Sequence, residues 1–234
     1  MTPERIERLR QVLDCRQPDL TVVTDFVHKQ RNLSAIVRVC DAAGIMRIHP
    51  VLGDEDYIAF RGTAMGSHNW VDVCRHACVD DALAPLVEYG YQLVGADPAP
   101  GAVDYRDVDY TRPTALVLGA ERQGLGEDVR ARLDTSVVIP MVGMVGSLNV
   151  SVAAGVILAE AQRQRQAAGL YSERRLDEAT WQRLFFEWGH PQIAVFCQER
   201  NLRYPPLDSD GEIEQPAQWY ASVRAGTAPM WRGT

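Results

Sequence analysis

Apolar positions along this chain follow two rhythms, one of helices and one of buried strands. From Thr2 to about Arg16, Ile6, Leu9 and Val12-Leu13 share one stripe, behind a Thr N-cap and a Pro at the first helical position. That pattern predicts an N-terminal helix. Leu20 to Val23 reads as a short buried strand, and Asn32 as the start and cap of a second helix whose inward face is Leu33, Ile36, Val37, Cys40 and Ala43, stopped by Gly44. A strand from Met46 to Leu52 follows, then an amphipathic helix from Asp80 to Gly90 and a strand from Tyr91 to Ala96. Thr114 to Leu118 is a fully apolar strand ending at Gly119, and Val137 to Ile139 is the last.

Alternation of this kind predicts an α/β fold, a mostly parallel sheet with helices on both faces, where ligands collect beyond the carboxyl ends of strands. Ala96, Gly119 and Ile139 close three of those strands. The stretch from Asp97 to Pro113, rich in Asp and Pro, reads as one long connection. Beyond about Arg165 the composition shifts: Asp177 to Trp188 reads as a helix broken by Pro191, Ile193 to Arg200 as another, and the Pro, Gly and Asp-rich tail as loosely held.

One stretch organises the rest. Ile139 to Leu158 runs from a strand end through the glycines Gly143 and Gly146 to Ser147-Leu148-Asn149, then into an apolar helix with Gly155 inside it. Asn149 and Ser151 are good N-cap types. A loop with so few large polar groups binds a ligand mainly through its own N–H and C=O groups; equally, the whole stretch reads as a packing helix behind a Gly-rich turn.

Composition narrows the class without deciding it. A chain of 234 residues, 46% hydrophobic, can bury a sizeable core. No apolar run has the length of a membrane span and no secretory leader is recognisable, so the cytoplasm is expected. Five scattered cysteines fit reduced thiols; Cys74, His76 and Cys78 invite a zinc reading, but no second ligand pair follows at the usual spacing, and no metal is expected. The formal charge of −7 argues against a nucleic-acid partner until its distribution is seen. Arginines gather at Arg5, Arg8, Arg10 and Arg16 and again at Arg163, Arg165, Arg174, Arg175 and Arg183, and Lys29 is the single lysine. Guanidinium clusters suit phosphate, although such runs are also ordinary solvated faces.

Three stretches carry candidate chemistry: Asn32 to Gly44, Leu116 to Gly126, and Ile139 to Leu158. The second follows a strand and is Gly-rich, yet Gly119, Gly124 and Gly126 make no G-x-G-x-x-G and no Gly-Lys-Ser/Thr follows, so neither a dinucleotide site nor an NTPase is supported. Taken in order, Asn32 with Arg38, Gly119-Ala120-Glu121 with Gly124, and Pro140 with Ser147-Leu148-Asn149-Val150-Ser151 resemble the three motifs of the SpoU branch of the SPOUT methyltransferases. Around them Arg16 to Val22, Asp109 to Pro113 and Glu160 to Arg165 are similar to the tRNA guanosine-18 2′-O-methyltransferases of that branch, and the resemblance covers most of residues 1 to about 175.

This resemblance implies a deep trefoil knot at the C-terminal side of the sheet, S-adenosylmethionine as methyl donor, tRNA as substrate and a homodimer. It assigns Arg38, Asn32, Glu121, Ser147 and Asn149 to catalysis, Ala96, Gly119, Ile139, Met141 and Leu148 to the cofactor, and Arg16, His28 and Lys29 to RNA. The family's general base falls on Arg38, but a guanidinium hardly gives up its proton in a protein, so orienting the substrate phosphate and stabilising the developing alkoxide is the role expected here. The layout implied is an N-terminal helical extension over 1–19, the knotted domain over 20–168 and a C-terminal extension over 169–234. Each residue also has a plainer reading: Arg38 as an ion-pair partner of Asp41, Asn32 and Asn149 as helix caps, Ser147 as turn chemistry, Glu121 as a solvated acid, His28 as a structural histidine. A ribosomal-RNA methyltransferase, or an RNA-binding protein that has lost catalysis, are the other functions compatible with the pattern.

Overall fold

Seven strands, all parallel where they pair, form one sheet in the order β3-β2-β1-β6-β4-β7-β5. The computed structural model describes residues 1–53, 61–120 and 123–231. The strands are β1 (Leu20–Asp25), β2 (Arg47–Val51), β3 (Asp72–Val73), β4 (Gln92–Ala96), β5 (Val103–Asp104), β6 (Thr114–Gly119) and β7 (Thr135–Val138). The helices are α1 (Pro3–Asp14), α2 (Gln30–Ala42), α3 (Arg61–Ala64), α4 (Val79–Glu88), α5 (Glu127–Arg130), α6 (Val150–Ala167), α7 (Glu178–Gly189), α8 (Pro191–Glu199) and α9 (Pro216–Arg224).

All six residues of β1 are buried, as expected of a central strand covered on both faces. Side chains alternate between two apolar layers. Val22 faces Ile36, Val37, Ile157 and Leu158 of α2 and α6. Its neighbour Val23 faces Leu83 and Leu86 of α4 on the other side. Gly44, at φ +75, ends α2 as the pattern predicts.

The chain divides into two compact units, one of residues 16–173 and one joining 1–15 to 174–234. In the second, α1 is capped by Thr2, whose hydroxyl accepts the Arg5 N–H, and packs on α7, where the Trp181 indole N–H donates to Asp14 at 2.8 Å.

Three expectations need correction. The connection from Asp97 to Pro113 contains β5 and a 3-10 turn over Tyr105–Asp107. The tail is not loose: α9 buries Trp219 against Cys197, Leu202 and Ala228. Finally, α2 begins at Gln30, so Asn32 lies within its first turn and does not cap it.

Candidate active site

Three adjacent strands, β6, β4 and β7, end together at the carboxyl edge of the sheet, with Ala96 in register with Leu118 and Val137. Ala96, Gly119 and Ile139, which leave these ends, are half-buried, as are Met141 and Leu148 in the loop that leads to α6. Gly119 is required by close approach: a Cβ there would stand 2.2 Å from the backbone carbon of Gly124. The second motif therefore folds back on itself, with the Gly124 N–H donating to Ala120 O at 2.9 Å and Gly124 at φ +68. An apolar and glycine wall at the ends of parallel strands fits a ligand gripped by backbone groups, and S-adenosylmethionine is such a ligand.

Two ion-bearing anchors brace this edge, and sequence reading found neither. Asp97, buried directly after Ala96, accepts from Arg130 Nε at 2.7 Å and Nη2 at 3.2 Å, while its own N–H donates to Val137 O at 3.1 Å. Asp25, buried at the end of β1, accepts the Gly126 N–H at 2.8 Å. Both acids sit one residue past or at a strand end, the only signal that could have marked them.

The first and third motifs meet through their asparagines. Asn149 caps α6, its Oδ1 accepting the Ser151 N–H at 2.9 Å and hydroxyl at 2.6 Å. With that oxygen occupied, Nδ2 is left to donate to Asn32 Oδ1 at 3.2 Å. The cap thus determines which end of the Asn149 amide faces α2.

Arg38 stands on α2 two turns beyond Asn32, exposed, with no hydrogen bond or ion pair to a described residue. Asp41 is not its partner, because that carboxylate already takes Arg16 Nη2 at 2.8 Å and the Ser67 hydroxyl at 3.2 Å. Ser147 is exposed in the same loop as Met141 and Leu148, and Val142, Met144 and Val145 project into solvent beside it. Glu121 lies outside the described residues. His28 and Lys29 are exposed in the turn between β1 and α2.

Arg16 corrects the expected RNA contacts. It is fully buried, donating to Ile45 O at 3.0 Å as well as to Asp41, so it braces the turn after α2. Arg165 is fully buried too, and Arg163, Arg174 and Arg183 pair with Glu160, Glu178 and Glu187. Most of the second basic cluster is spent inside the chain.

At the β2 edge, His49 Nδ1 lies 2.9 Å from His76 Nε2, and burial, followed by the charge of His76, pushes His49 down to about 4. No group of three metal-ligating side chains occurs among the described residues, and no helix among them is long and apolar enough to cross a membrane.

Residues 19–159 match the SpoU rRNA Methylase family, and residues 163–216 the SpoU, rRNA methylase, C-terminal family. The tRNA (guanosine(18)-2′-O)-methyltransferase of Escherichia coli strain K12 is 44% identical over 227 residues, covering 96% of this chain and 99% of that one. Among solved structures, an Aquifex aeolicus TrmH/SpoU tRNA modifying enzyme superposes with TM-score 0.77 at 40% identity, covering 81% of this chain and 97% of that one. The SpoU methyltransferase AviRb from Streptomyces viridochromogenes, in complex with the cofactor AdoMet, superposes with TM-score 0.59 at 30% identity over 66% of this chain and 62% of that one.

Proposed function

The chain belongs to the SpoU methylase family, and from that premise we propose that it transfers a methyl group to the ribose 2′-oxygen of guanosine 18 in the D-loop of tRNA. Its methyl donor is S-adenosylmethionine. The observation that carries the reading is the contact of Asn149 with Asn32, which brings the first and third motifs together on the helix that bears Arg38. End-to-end likeness to a tRNA enzyme, 99% of whose length is matched, favours tRNA over ribosomal RNA.

When bound, S-adenosylmethionine would supply an electrophilic methyl carbon on a cationic sulfur, with a neutral thioether as its leaving group. In this reading Ala96, Ile139, Met141 and Leu148 form the apolar walls and Gly119 lets backbone approach the donor. Arg38 orients the RNA phosphate and stabilises the alkoxide developing on the ribose as the 2′-hydroxyl proton passes to water or a neighbouring acceptor, a preorganised charge where the transition state needs one. Asn32 and Asn149 hold the ribose against the loop with Ser147 and Glu121, while Lys29 and His28 meet the incoming strand.

The remaining assignments follow the same reading. The enzyme acts in the cytoplasm as a homodimer, supported by the exposed apolar run Val142, Met144 and Val145. A knot is supported by the position of β7 between β4 and β5.

Labelled methyl transfer to an unmodified tRNA transcript tests the reaction, with one transcript carrying 2′-deoxyguanosine at the target. Incorporation into the first and none into the second is the expected result. Equal incorporation into both overturns ribose methylation.

A further inference from the structure

The turn from β1 to α2 places an aromatic ring where packing does not need one. Phe26 follows Asp25 directly, at the sheet edge where Asp25 is in register with Val51 and Gly119, and four residues before α2 begins. Its φ is +51, in the left-handed region that bulky side chains rarely adopt. Two features hold it there. Its N–H donates to Val51 O at 3.2 Å, and Gly53, at φ +62, lies against the ring closely enough that a Cβ would stand 3.6 Å from Cε1. The ring stays 36% exposed, and the His28 imidazole sits 5.8 Å away, tilted by 38°. A strained backbone that leaves about a third of an aromatic residue open to water is the kind of outlier that points toward function.

We infer that Phe26, with His28 beside it, is the stacking surface for the base of the target nucleotide. This rests on the RNA methyl-transfer reading above and adds to it a positioning element for the base. The chemistry of the surroundings selects the occupant. An exposed π-face accepts any flat heteroaromatic, and Lys29 and Arg38, both exposed on the same turn and helix, provide cations for the phosphate that a nucleotide carries and a free base lacks. Asn32, on the first turn of that helix, reaches the third motif, so one short segment runs from the base surface to the ribose site. A base held on Phe26 fixes its ribose by a single glycosidic bond, limiting the 2′-oxygen to the few orientations that transfer requires.

The full-length enzyme tests this with four variants, F26L, F26G, F26W and F26Y, and two tRNA transcripts, one unmodified and one abasic at the target. F26L is expected to bind the unmodified transcript and transfer methyl about ten- to hundredfold less well, the range that base stacking on aromatics spans. F26W and F26Y are expected to remain within about threefold of wild type, with S-adenosylmethionine affinity unchanged in all four. Glycine suits a positive φ, so F26G removes the ring while relieving the backbone; its melting temperature should hold while RNA affinity falls. Removing the base should weaken the wild type and leave F26L no weaker than before. The inference is overturned if F26L matches wild type, if F26W is as impaired as F26L, or if cofactor affinity falls along with RNA affinity. A wild type that methylates tRNA with F26L unaffected sinks this inference alone; a wild type inert toward tRNA sinks the methyl-transfer reading as well.

Discussion

Asn149 divides one amide between two tasks, and the division can be tested. Asn149→Asp keeps an oxygen for the Ser151 N–H, so the fold should persist, but it replaces the donor that reaches Asn32 with a second acceptor. The expected outcome is a melting temperature close to wild type with methyl transfer strongly reduced, whereas Asn149→Ala should also lose about 1 kcal/mol of stability with the cap. Arg38→Ala should leave cofactor binding by calorimetry intact and lower kcat by about 10²–10³-fold, the size of effect seen when one preorganised donor is removed. An Arg38→Lys enzyme of full activity would sink the role given to the guanidinium. His49 offers a test by pH. Its folded value is pushed down to about 4 against ~6.5 unfolded, so the unfolded chain binds the extra proton in between. Stability is complete above about 6.5 and falls as pH drops toward 4, by at most about 3 kcal/mol. His49→Gln should flatten that slope in urea titrations. At this scale the sequence was partly legible. The Asn149 cap was readable because residue type and position agree. The burial of Arg16 was not, because nothing in its neighbours announces Asp41 and Ile45 as partners from 25 and 29 positions away.

Elements were legible wherever apolar rhythm and punctuation agreed. α1, α6 and α7 carry side-chain caps at Thr2, Asn149 and Asp177, and the main strands of the sheet are apolar runs. What escaped was structure that owes little to pattern. β5 is two residues long, held by its pairing with β7, and α9 sits in a tail whose Pro and Gly content reads as loop. The second motif shows how an element can depend on one missing atom. Gly119→Ala would drive a Cβ into Gly124 backbone, which cannot give as a flexible side chain can. That overpacking should cost about 1–3 kcal/mol. Calorimetry should show cofactor affinity falling by about ten- to hundredfold, while far-ultraviolet circular dichroism keeps the wild-type helix content.

At the scale of the whole molecule, Arg165 is the cation that ties distant segments of the 16–173 unit. Its five N–H groups donate to Tyr110 O, Gln17 Oε1, Asp19 Oδ1, Asp19 O and Arg112 O at 2.7–3.2 Å. Arg165→Met should lower unfolding free energy by about 3 kcal/mol, since it takes the donor from a half-buried carboxylate and from three backbone carbonyls. Arg165→Lys should recover little of this, because three rotating donors on one nitrogen cannot replace a planar fork of five. The sheet order has a temporal meaning as well. β7, last of the strands to leave the ribosome, takes its place between β4 and β5, both made earlier. A nascent chain halted after β6 therefore carries six of the seven described strands and still lacks the strand that lies between β4 and β5. β5, which pairs with β7 alone among the described strands, joins the sheet only once β7 has followed it off the ribosome.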